Sequence, residues 1–148
     1  MDSSTECLPP LPGQRLQRGV SRALIALNFA AIEEMTLPTG LRADVMALGP
    51  RGEIWIVECK SSRTDFTADR KWQGYLGFCD RFFWAVDADF PTDLLPADHG
   101  LILADAWGGE VLRLAPEMAL AGARRKALML AFARAAAGRL NALRDPRS

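Results

Sequence analysis

The stretch LRADVMALGPRGEIWIVECK, residues 41–60, decides the fold of this chain. Leu41–Leu48 and Glu53–Lys60 have the composition of β-strands, and the residues between them, Gly49–Gly52, are typical of a tight turn. This pattern predicts a β-hairpin. Ile54–Val57 is entirely apolar, as expected of a central strand that is buried on both faces of a sheet.

Three charged side chains lie at the open end of this hairpin. Because side chains alternate along a strand, Glu58 and Lys60 share one face, and the hairpin brings Asp44 opposite Glu58 or one position away. Cross-strand neighbours have Cβ atoms ~5 Å apart. Two carboxylates at that distance repel each other and are costly to desolvate, and a cation between them removes the conflict.

The ligand chemistry of this group indicates a hard cation. Oxygen ligands select Mg²⁺, and the backbone carbonyl of Cys59 would add a further oxygen. Lys60 would then orient a nucleophile or stabilise charge that develops on phosphorus. The alternative is a solvated ion-pair ladder. The apolar setting of Asp44 and Glu58 weighs against that alternative, as does the scarcity of lysine, with three lysines against fifteen arginines.

A helix is predicted on each side of the hairpin. Gln14–Leu27 has one apolar and one basic face, and Asn28 is predicted to end it in the left-handed conformation. Thr64–Phe78 is predicted as one helix with Thr64 or Asp65 as its N-cap. The order αβββαβ followed by ββα predicts a mixed α/β sheet flanked by helices. The remaining predicted elements are strands Phe29–Leu37, Arg81–Val86, Leu101–Ala104 and Glu110–Leu114, and a long helix, Leu120–Leu143.

The composition is that of an ordinary globular chain, with 148 residues, 49% hydrophobic and 24% charged. Residues 14–148 are predicted to form one domain behind a flexible tail, residues 1–13, which is rich in proline and small polar residues. No apolar run approaches the ~20 residues that span a bilayer, and no secretion signal is evident. Three widely spaced cysteines form no disulfide or metal pattern, so a cytoplasmic location without membrane contact is expected.

The charges are unevenly distributed although the net charge is zero. Every charged side chain between residues 86 and 112 is acidic, whereas Arg and Lys outnumber acids eight to two from Arg113 onward. Arg15, Arg18 and Arg22 form a second basic cluster. A neutral chain with this distribution can still present a positive face to a polyanion such as DNA.

The hairpin motif resembles that of a known nuclease superfamily. Asp44, the strand turn and Glu58-Cys59-Lys60, placed between two predicted helices, are similar to the PD-(D/E)xK motif. That resemblance implies a restriction-endonuclease-like core with the ββα part as a C-terminal extension. A narrower resemblance, to the bacterial MmcB family of DNA-repair endonucleases, is carried by Arg42–Val45, Glu53–Ser62, Asp65-Phe66, Asp69–Trp72, Tyr75, Cys79–Val86 and Gly100–Asp105.

The resemblance also implies an activity. Asp44 and Glu58 would be the metal ligands and Lys60 the catalytic lysine of a DNA endonuclease that uses Mg²⁺, or Mn²⁺ in its place. Two features depart from the superfamily pattern. Ala43 stands before Asp44 where proline is common, and the first helix has no acidic residue where many members carry a glutamate. Glu34 on the first strand is the candidate for that role, and the alternative is a solvent-facing carboxylate at the sheet edge.

Polar and basic side chains outside the motif are candidate DNA contacts. Gln73 and Tyr75 lie where the superfamily often places substrate contacts, although their spacing differs from its pattern. Lys71 either meets a phosphate or is a solvated helix charge, and Ser62 either donates to phosphate or caps a helix. The basic residues of the predicted C-terminal helix either track the DNA backbone or form a solvated helix face. They are Arg124, Arg125 and Lys126 with Arg134 and Arg139.

Three functional hypotheses follow. The first is a magnesium-dependent deoxyribonuclease of DNA repair that leaves a 5′-phosphate and a 3′-hydroxyl, as the resemblance implies. The second is a DNA-binding adaptor with a degenerate site, which the missing helix glutamate favours. The third is a nuclease for RNA or nucleotides, since nothing in the sequence reads a 2′-hydroxyl or excludes it. DNA is the expected partner, and a homodimer or contacts with other repair proteins are expected only by analogy.

Overall fold

The computed structural model describes residues 12–146 of the chain. The predicted hairpin is present, with strand β2 at Arg42–Leu48 and strand β3 at Ile54–Cys59. The other elements, in chain order, are helix α1 at Pro12–Ala26, strand β1 at Ala30–Thr36, helix α2 at Arg63–Ala68, a 3₁₀ helix at Trp72–Phe78, strand β4 at Arg81–Val86, a 3₁₀ turn at Thr92–Leu94, strands β5 at Gly100–Ala104 and β6 at Gly109–Arg113, and helix α3 at Gly122–Arg144.

The strands of the described residues form one mixed sheet in the order β1-β2-β3-β4-β5-β6. β1, β2 and β3 are antiparallel, β3, β4 and β5 are parallel, and β6 is antiparallel to β5. Val45 lies opposite Val57 in the hairpin, so continuing the same register places Asp44 opposite Glu58. The prediction of a mixed sheet flanked by helices is confirmed, and the two strands after β4 extend the same sheet.

Apolar side chains cover both faces of this sheet. On one face α1 packs against a cluster that includes Val57 and Phe83. On the other face α3 and the 3₁₀ helix Trp72–Phe78 pack against a cluster that includes Ile56 and Trp84. All six residues of β3 are buried, as predicted for a central strand. The hairpin is therefore packed between two layers of helices.

The prediction of a single helix over Thr64–Phe78 is wrong, because the helical structure is interrupted between α2 and the 3₁₀ helix. The N-cap is Ser62, whose hydroxyl accepts a hydrogen bond from the backbone N–H of Asp65 at 3.0 Å. At the break, the carboxylate of Asp69 accepts hydrogen bonds from the backbone N–H groups of Lys71, at 2.8 Å, and Trp72, at 3.1 Å. An aspartate that bonds backbone amides in this way competes with the helical ladder.

The start of the first helix also differs from its predicted position. α1 begins at Pro12, two residues before Gln14, and proline suits the first helical turn because the missing N–H would be unsatisfied there in any case. Of the tail predicted for residues 1–13, residues 1–11 lie outside the described residues. Asn28 has a φ of 69°, which confirms the left-handed stop. Within residues 12–146, no helix combines the length and apolar character that crossing a bilayer requires.

Gly19 lets α1 pack closely against the turn between β5 and β6. A Cβ at this position would overlap the backbone carbonyl oxygen of Asp105 and would lie 2.8 Å from that of Gly108. We expect Gly19→Ala to lower the free energy of unfolding by roughly 1–3 kcal/mol, measured by urea denaturation. The matched control is Gly138→Ala in α3, where a Cβ meets nothing within 4 Å. The control should stabilise the protein by about 0.5–1 kcal/mol, and equal effects of the two substitutions would contradict this account.

Candidate functional site

The predicted catalytic residues line one cavity at the end of the hairpin that lies opposite its turn. This cavity has a volume of about 680 Å³. Asp44 reaches it from β2, Glu58 from β3, and Lys60 from the first residue after β3. Gln17 of α1 and Asp69 of the break after α2 line it as well. The site is thus built where the strands end and helices from both faces of the sheet approach one another.

The two carboxylates are fixed by backbone amides of the neighbouring strand. The backbone N–H of Cys59 donates to Asp44 Oδ2 at 2.8 Å, and the backbone N–H of Asp44 donates to Glu58 Oε1 at 3.1 Å. Gln17 donates from Nε2 to the second oxygen of Asp44, Oδ1, at 3.4 Å. Glu58 is only 5% exposed. The carboxylates are therefore held beside each other in a largely dry environment.

This environment raises the pKa of both carboxyl groups. Burial, followed by the charge of Asp44, raises the pKa of Glu58 to about 8. Burial likewise raises the pKa of Asp44. At neutral pH the metal-free pair therefore retains a proton. A bound cation would take the place of that proton and restore both negative charges.

The donor set is compatible with a hard divalent cation. Asp44 and Glu58 provide carboxylate oxygens, and Mg²⁺ in proteins commonly uses one or two carboxylates together with waters and substrate phosphate. The described residues contain no group of three or more His, Cys, Asp or Glu side chains that could hold a metal ion. A cation at this site would accordingly rely on two carboxylates, and the predicted contribution of the Cys59 carbonyl remains a prediction. The Cys59 side chain faces the α1 cluster instead.

Lys60 is a buried ammonium that is held by acidic partners. Its Nζ lies 2.7 Å from Asp69 Oδ2 and 3.8 Å from Asp65 Oδ1. Burial acts to lower the pKa of Lys60, but the hydrogen bond to Asp69 and the charge of Asp65 raise it overall. Lys60 therefore carries its positive charge at neutral pH. Sequence reasoning missed Asp69 as its partner, because the prediction placed that residue inside an uninterrupted helix.

Gln17 was also missed, although its position carried a signal. It lies on the apolar face of α1 together with Leu16, Val20 and Leu24, and it is buried. A polar residue on the apolar face of an amphipathic helix needs a hydrogen-bond partner inside the protein. That partner is Asp44. Since α1 contains no acidic residue, a neutral amide contacts the site from this helix.

Glu34, the candidate for the missing carboxylate, is not among the described residues that line the cavity. It has a φ of 53°, and its side chain is 46% exposed at 3.9 Å from the guanidinium of Arg42. Left-handed backbone at a strand residue interrupts the alternation of side chains. Glu34 is therefore a solvent-facing carboxylate near the sheet edge, which is the alternative that the sequence left open.

The candidate DNA contacts divide into two groups. Lys71 and Tyr75 line the cavity, and the Tyr75 hydroxyl donates to the backbone carbonyl of Arg42 at 2.8 Å. Ser62 and Gln73 do not line it, and the Ser62 hydroxyl is used as a helix cap. Two of the four candidate DNA contacts near the motif therefore line the cavity.

The basic residues at the start of α3 lie away from the cavity. Arg125 donates to the carbonyl of Gly52, at 2.9 Å, and pairs with Asp80. Asp80 lies beside the first residue of β3, whereas the cavity lies beyond the last residue of β3. Arg124 donates to the carbonyl of Gly77, and its guanidinium lies over the ring of Phe78. Lys126 is exposed on the same turn. The structure therefore does not bring these three residues to the carboxylates, because α3 begins near the turn of the hairpin.

Burial of Glu58 leads to a testable dependence of stability on pH. The folded protein binds this proton up to about pH 8, whereas an exposed glutamate loses it near 4.5. Between these values the folded state holds more protons than the unfolded state, so the stability of the metal-free protein should fall as pH rises. We expect Glu58→Gln to remove much of this slope. Urea denaturation in EDTA at several pH values between 5 and 8 measures it.

A matched variant separates this effect from general changes in charge. The side chain of Glu117 is 71% exposed and pairs with Arg81 at 3.4 Å. Glu117→Gln should leave the slope as in wild type. If Glu58→Gln and wild type lose stability equally between pH 5 and 8, burial does not hold the proton on Glu58.

The chain is similar to known proteins in both sequence and fold. Residues 5–147 match a family model described as DNA repair protein MmcB-like. Among solved structures, a protein of unknown function from Silicibacter pomeroyi is 62% identical in sequence, with a TM-score of 0.91 over 94% of this chain and 95% of that one. No curated protein matches the sequence. The family match covers α1, the hairpin, the cavity and α3 alike.

Proposed function

Because the chain belongs to the MmcB-like family of DNA repair proteins, we propose that it is a metal-dependent endonuclease that hydrolyses phosphodiester bonds of DNA. One observation carries the proposal: a half-buried carboxylate, Asp44, and a buried one, Glu58, share a cavity with a buried, charged lysine, Lys60. The order αβββαβ, in which β1–β3 are antiparallel and β4 is added parallel to β3, supports a PD-(D/E)xK core.

The residues of the cavity fit a divalent cation. Burial keeps the carboxyl groups of Asp44 and Glu58 from ionising together. A bound cation would neutralise their charges and so allow both to ionise. Asp44 and Glu58, with the backbone carbonyl of Cys59, would hold Mg²⁺ or Mn²⁺. When bound, such an ion acts as a Lewis acid on a phosphoryl oxygen.

The chain's own groups supply the remaining functions. The Lys60 ammonium, held by Asp69 at 2.7 Å, is positioned to stabilise charge on the phosphate or to orient the attacking water. In the hydrolysis, a water oxygen attacks phosphorus, the bond between phosphorus and O3′ breaks, and O3′ takes up a proton. The products are a 5′-phosphate and a 3′-hydroxyl. Lys71 and Tyr75 line the cavity where flanking phosphates would lie.

A DNA-binding adaptor without catalysis is the second candidate, and two observations favour it. α1 presents the amide of Gln17 to Asp44 where many nucleases of this superfamily have a glutamate. The Asp69 carboxylate, 2.7 Å from the Lys60 ammonium, also neutralises part of the charge that would act on a phosphate. An adaptor need not bind magnesium at the carboxylates, so metal binding distinguishes the two candidates.

The proposal is tested by incubating the full chain with labelled single-stranded, duplex, flapped and branched DNAs in Mg²⁺ or Mn²⁺. Isothermal titration with Mg²⁺ runs in parallel on wild type and Glu58→Gln. Cleavage of any substrate, together with metal binding that Glu58→Gln removes, supports the nuclease. DNA binding without cleavage and without metal binding overturns it in favour of the adaptor.

A further inference from the structure

A second surface with the chemistry of a nucleic-acid contact lies next to the cavity on α1. Three exposed arginines of α1 border the turn between β5 and β6, whose tip carries Trp107. Trp107 is 79% exposed, which is unusual for the largest apolar side chain. We call Arg15, Arg18, Arg22 and Trp107 the arginine–tryptophan platform. The helix that carries the arginines contains no acidic residue.

The turn that carries Trp107 is held in place by its surroundings. The guanidinium of Arg22 lies 5.6 Å from the ring centroid, and the same side chain donates to the carbonyl of Ala106 at 2.7 Å. The carboxylate of Asp105 accepts the backbone N–H groups of Trp107, at 2.7 Å, and Gly108, at 3.0 Å. The close packing of Gly19 fixes this turn on α1. An exposed aromatic ring on a turn with this much support reaches a ligand from a pre-organised backbone.

The charges on the two sides of Trp107 determine on which side of the indole a bound polyanion can lie. The arginines of α1 lie on one side of the indole, and Asp87, Asp89 and Glu110 border it on the other. A phosphate backbone is attracted to the first side and repelled by the second. α1 also supplies Gln17 to the cavity of Asp44 and Glu58. Gln17 and Arg22 are separated by about 7–8 Å along the helix axis and by about 140° around it, so a strand that contacts both surfaces follows α1 partly around the helix.

We propose that the arginine–tryptophan platform binds a single-stranded segment of DNA next to the bond that is cleaved. The phosphates pair with the arginines of α1, and an unpaired base stacks on Trp107. Bases in the interior of a duplex have their faces covered by their neighbours, whereas an unpaired base offers a face to an aromatic side chain. This inference rests on the proposed function only in naming the cleaved strand, since binding itself requires no catalysis.

Binding is measured by fluorescence anisotropy in EDTA, with labelled oligo(dT) and a blunt duplex of the same length. Trp107→Ala should weaken oligo(dT) binding by at least roughly fivefold and change duplex binding little, and Trp107→Phe should retain the affinity. Stacking of a base on Trp107 should quench the intrinsic tryptophan fluorescence of the wild-type protein when oligo(dT) binds. Trp107→Phe should remove most of this quenching, because Trp55 and Trp84 are buried and Trp72 is packed on the core. The control for a lost exposed apolar group is Leu143→Ala, at 81% exposure on α3.

Salt dependence tests the arginines separately from the indole. Arg18→Gln should reduce the slope of log Kd against log salt concentration by about 0.7, the value for one phosphate contact on a single strand. Arg51→Gln, an exposed arginine at the turn of the hairpin, should leave the slope unchanged. Equal effects of the two substitutions would overturn the phosphate contacts.

The outcomes separate this inference from the proposed function. If no DNA is cleaved but binding of oligo(dT) depends on Trp107, the nuclease is wrong and the platform stands. If DNA is cleaved and Trp107→Ala binds and cleaves every substrate as wild type does, the platform is wrong and the nuclease stands. If wild type does not bind oligo(dT), the inference is overturned and the exposed indole is left for a protein partner.

Discussion

Glu58→Gln is expected to reduce the rate of DNA cleavage at least about a thousandfold, since losing one electrostatic stabiliser of this kind costs on the order of 10²–10³ and this residue is also a metal ligand in the proposal. The substitution keeps the shape of the side chain, and its amide oxygen can still accept the backbone N–H of Asp44, now 3.1 Å from Glu58 Oε1. The fold should therefore persist. Single-turnover cleavage at saturating Mg²⁺ measures the effect.

Two companion variants sharpen this result. Lys60→Ala should cause a loss of similar size, because no other described residue brings a buried ammonium to the cavity. It also leaves the Asp69 carboxylate, whose side chain is only 7% exposed, without its cation. Asp69→Asn is therefore combined with it to separate lost catalysis from lost stability. Glu117→Gln, at an exposed carboxylate, should cleave as wild type does. Wild-type rates in Glu58→Gln would remove Glu58 from the mechanism.

The part of the site that could be predicted is the part that local pattern determines. The turn residues and the apolar run of β3 define the hairpin, and alternation along its strands then brings Asp44 and Glu58 to the same end. Each step involves residues close in sequence, so no knowledge of distant packing is required. The mixed sheet followed in the same way from the order of helices and strands.

The missed contacts depend on segments that are distant in sequence or compete with local propensity. Gln17 meets Asp44 only because α1 packs across the sheet, which its own sequence does not specify. Asp69 interrupts a stretch with helical periodicity because its carboxylate bonds two backbone amides and Lys60 together. A pattern analysis assigns no energy to such a contact. Arg125 was predicted to contact DNA because charge alone does not reveal an internal partner.

That internal partner makes Asp80 a candidate for the largest loss of stability in the described chain. Asp80 is 7% exposed, and its carboxylate accepts the backbone N–H of Ile54 at 2.7 Å and two guanidinium nitrogens of Arg125 at 2.6 and 2.7 Å. It therefore joins the first residue of β3 to α3, just before β4 begins. We expect Asp80→Ala to lower the free energy of unfolding by about 2–4 kcal/mol, because a buried amide and a partly buried guanidinium lose their acceptor.

Urea denaturation of four proteins tests the pair: wild type, Asp80→Ala, Arg125→Ala and the double variant. If the two side chains stabilise the fold through each other, the double variant should be less destabilised than the sum of the single ones. Asp98→Ala is the matched control, since that side chain is 82% exposed. If Asp80→Ala unfolds no more readily than Asp98→Ala, the tie between β3 and α3 contributes nothing to stability.

The same pair should respond to acid in the opposite sense to Glu58. Burial acts to raise the pKa of Asp80, but the hydrogen bonds from Arg125 and Ile54 outweigh it and hold the pKa below its usual value of 3.8. The unfolded state therefore binds this proton first as pH falls, and the contribution of the pair is present at neutral pH and lost below about pH 4. The difference in stability between wild type and Asp80→Ala should shrink over that range. A difference that stays constant into acid would show that Asp80 acts through packing and not through its charge.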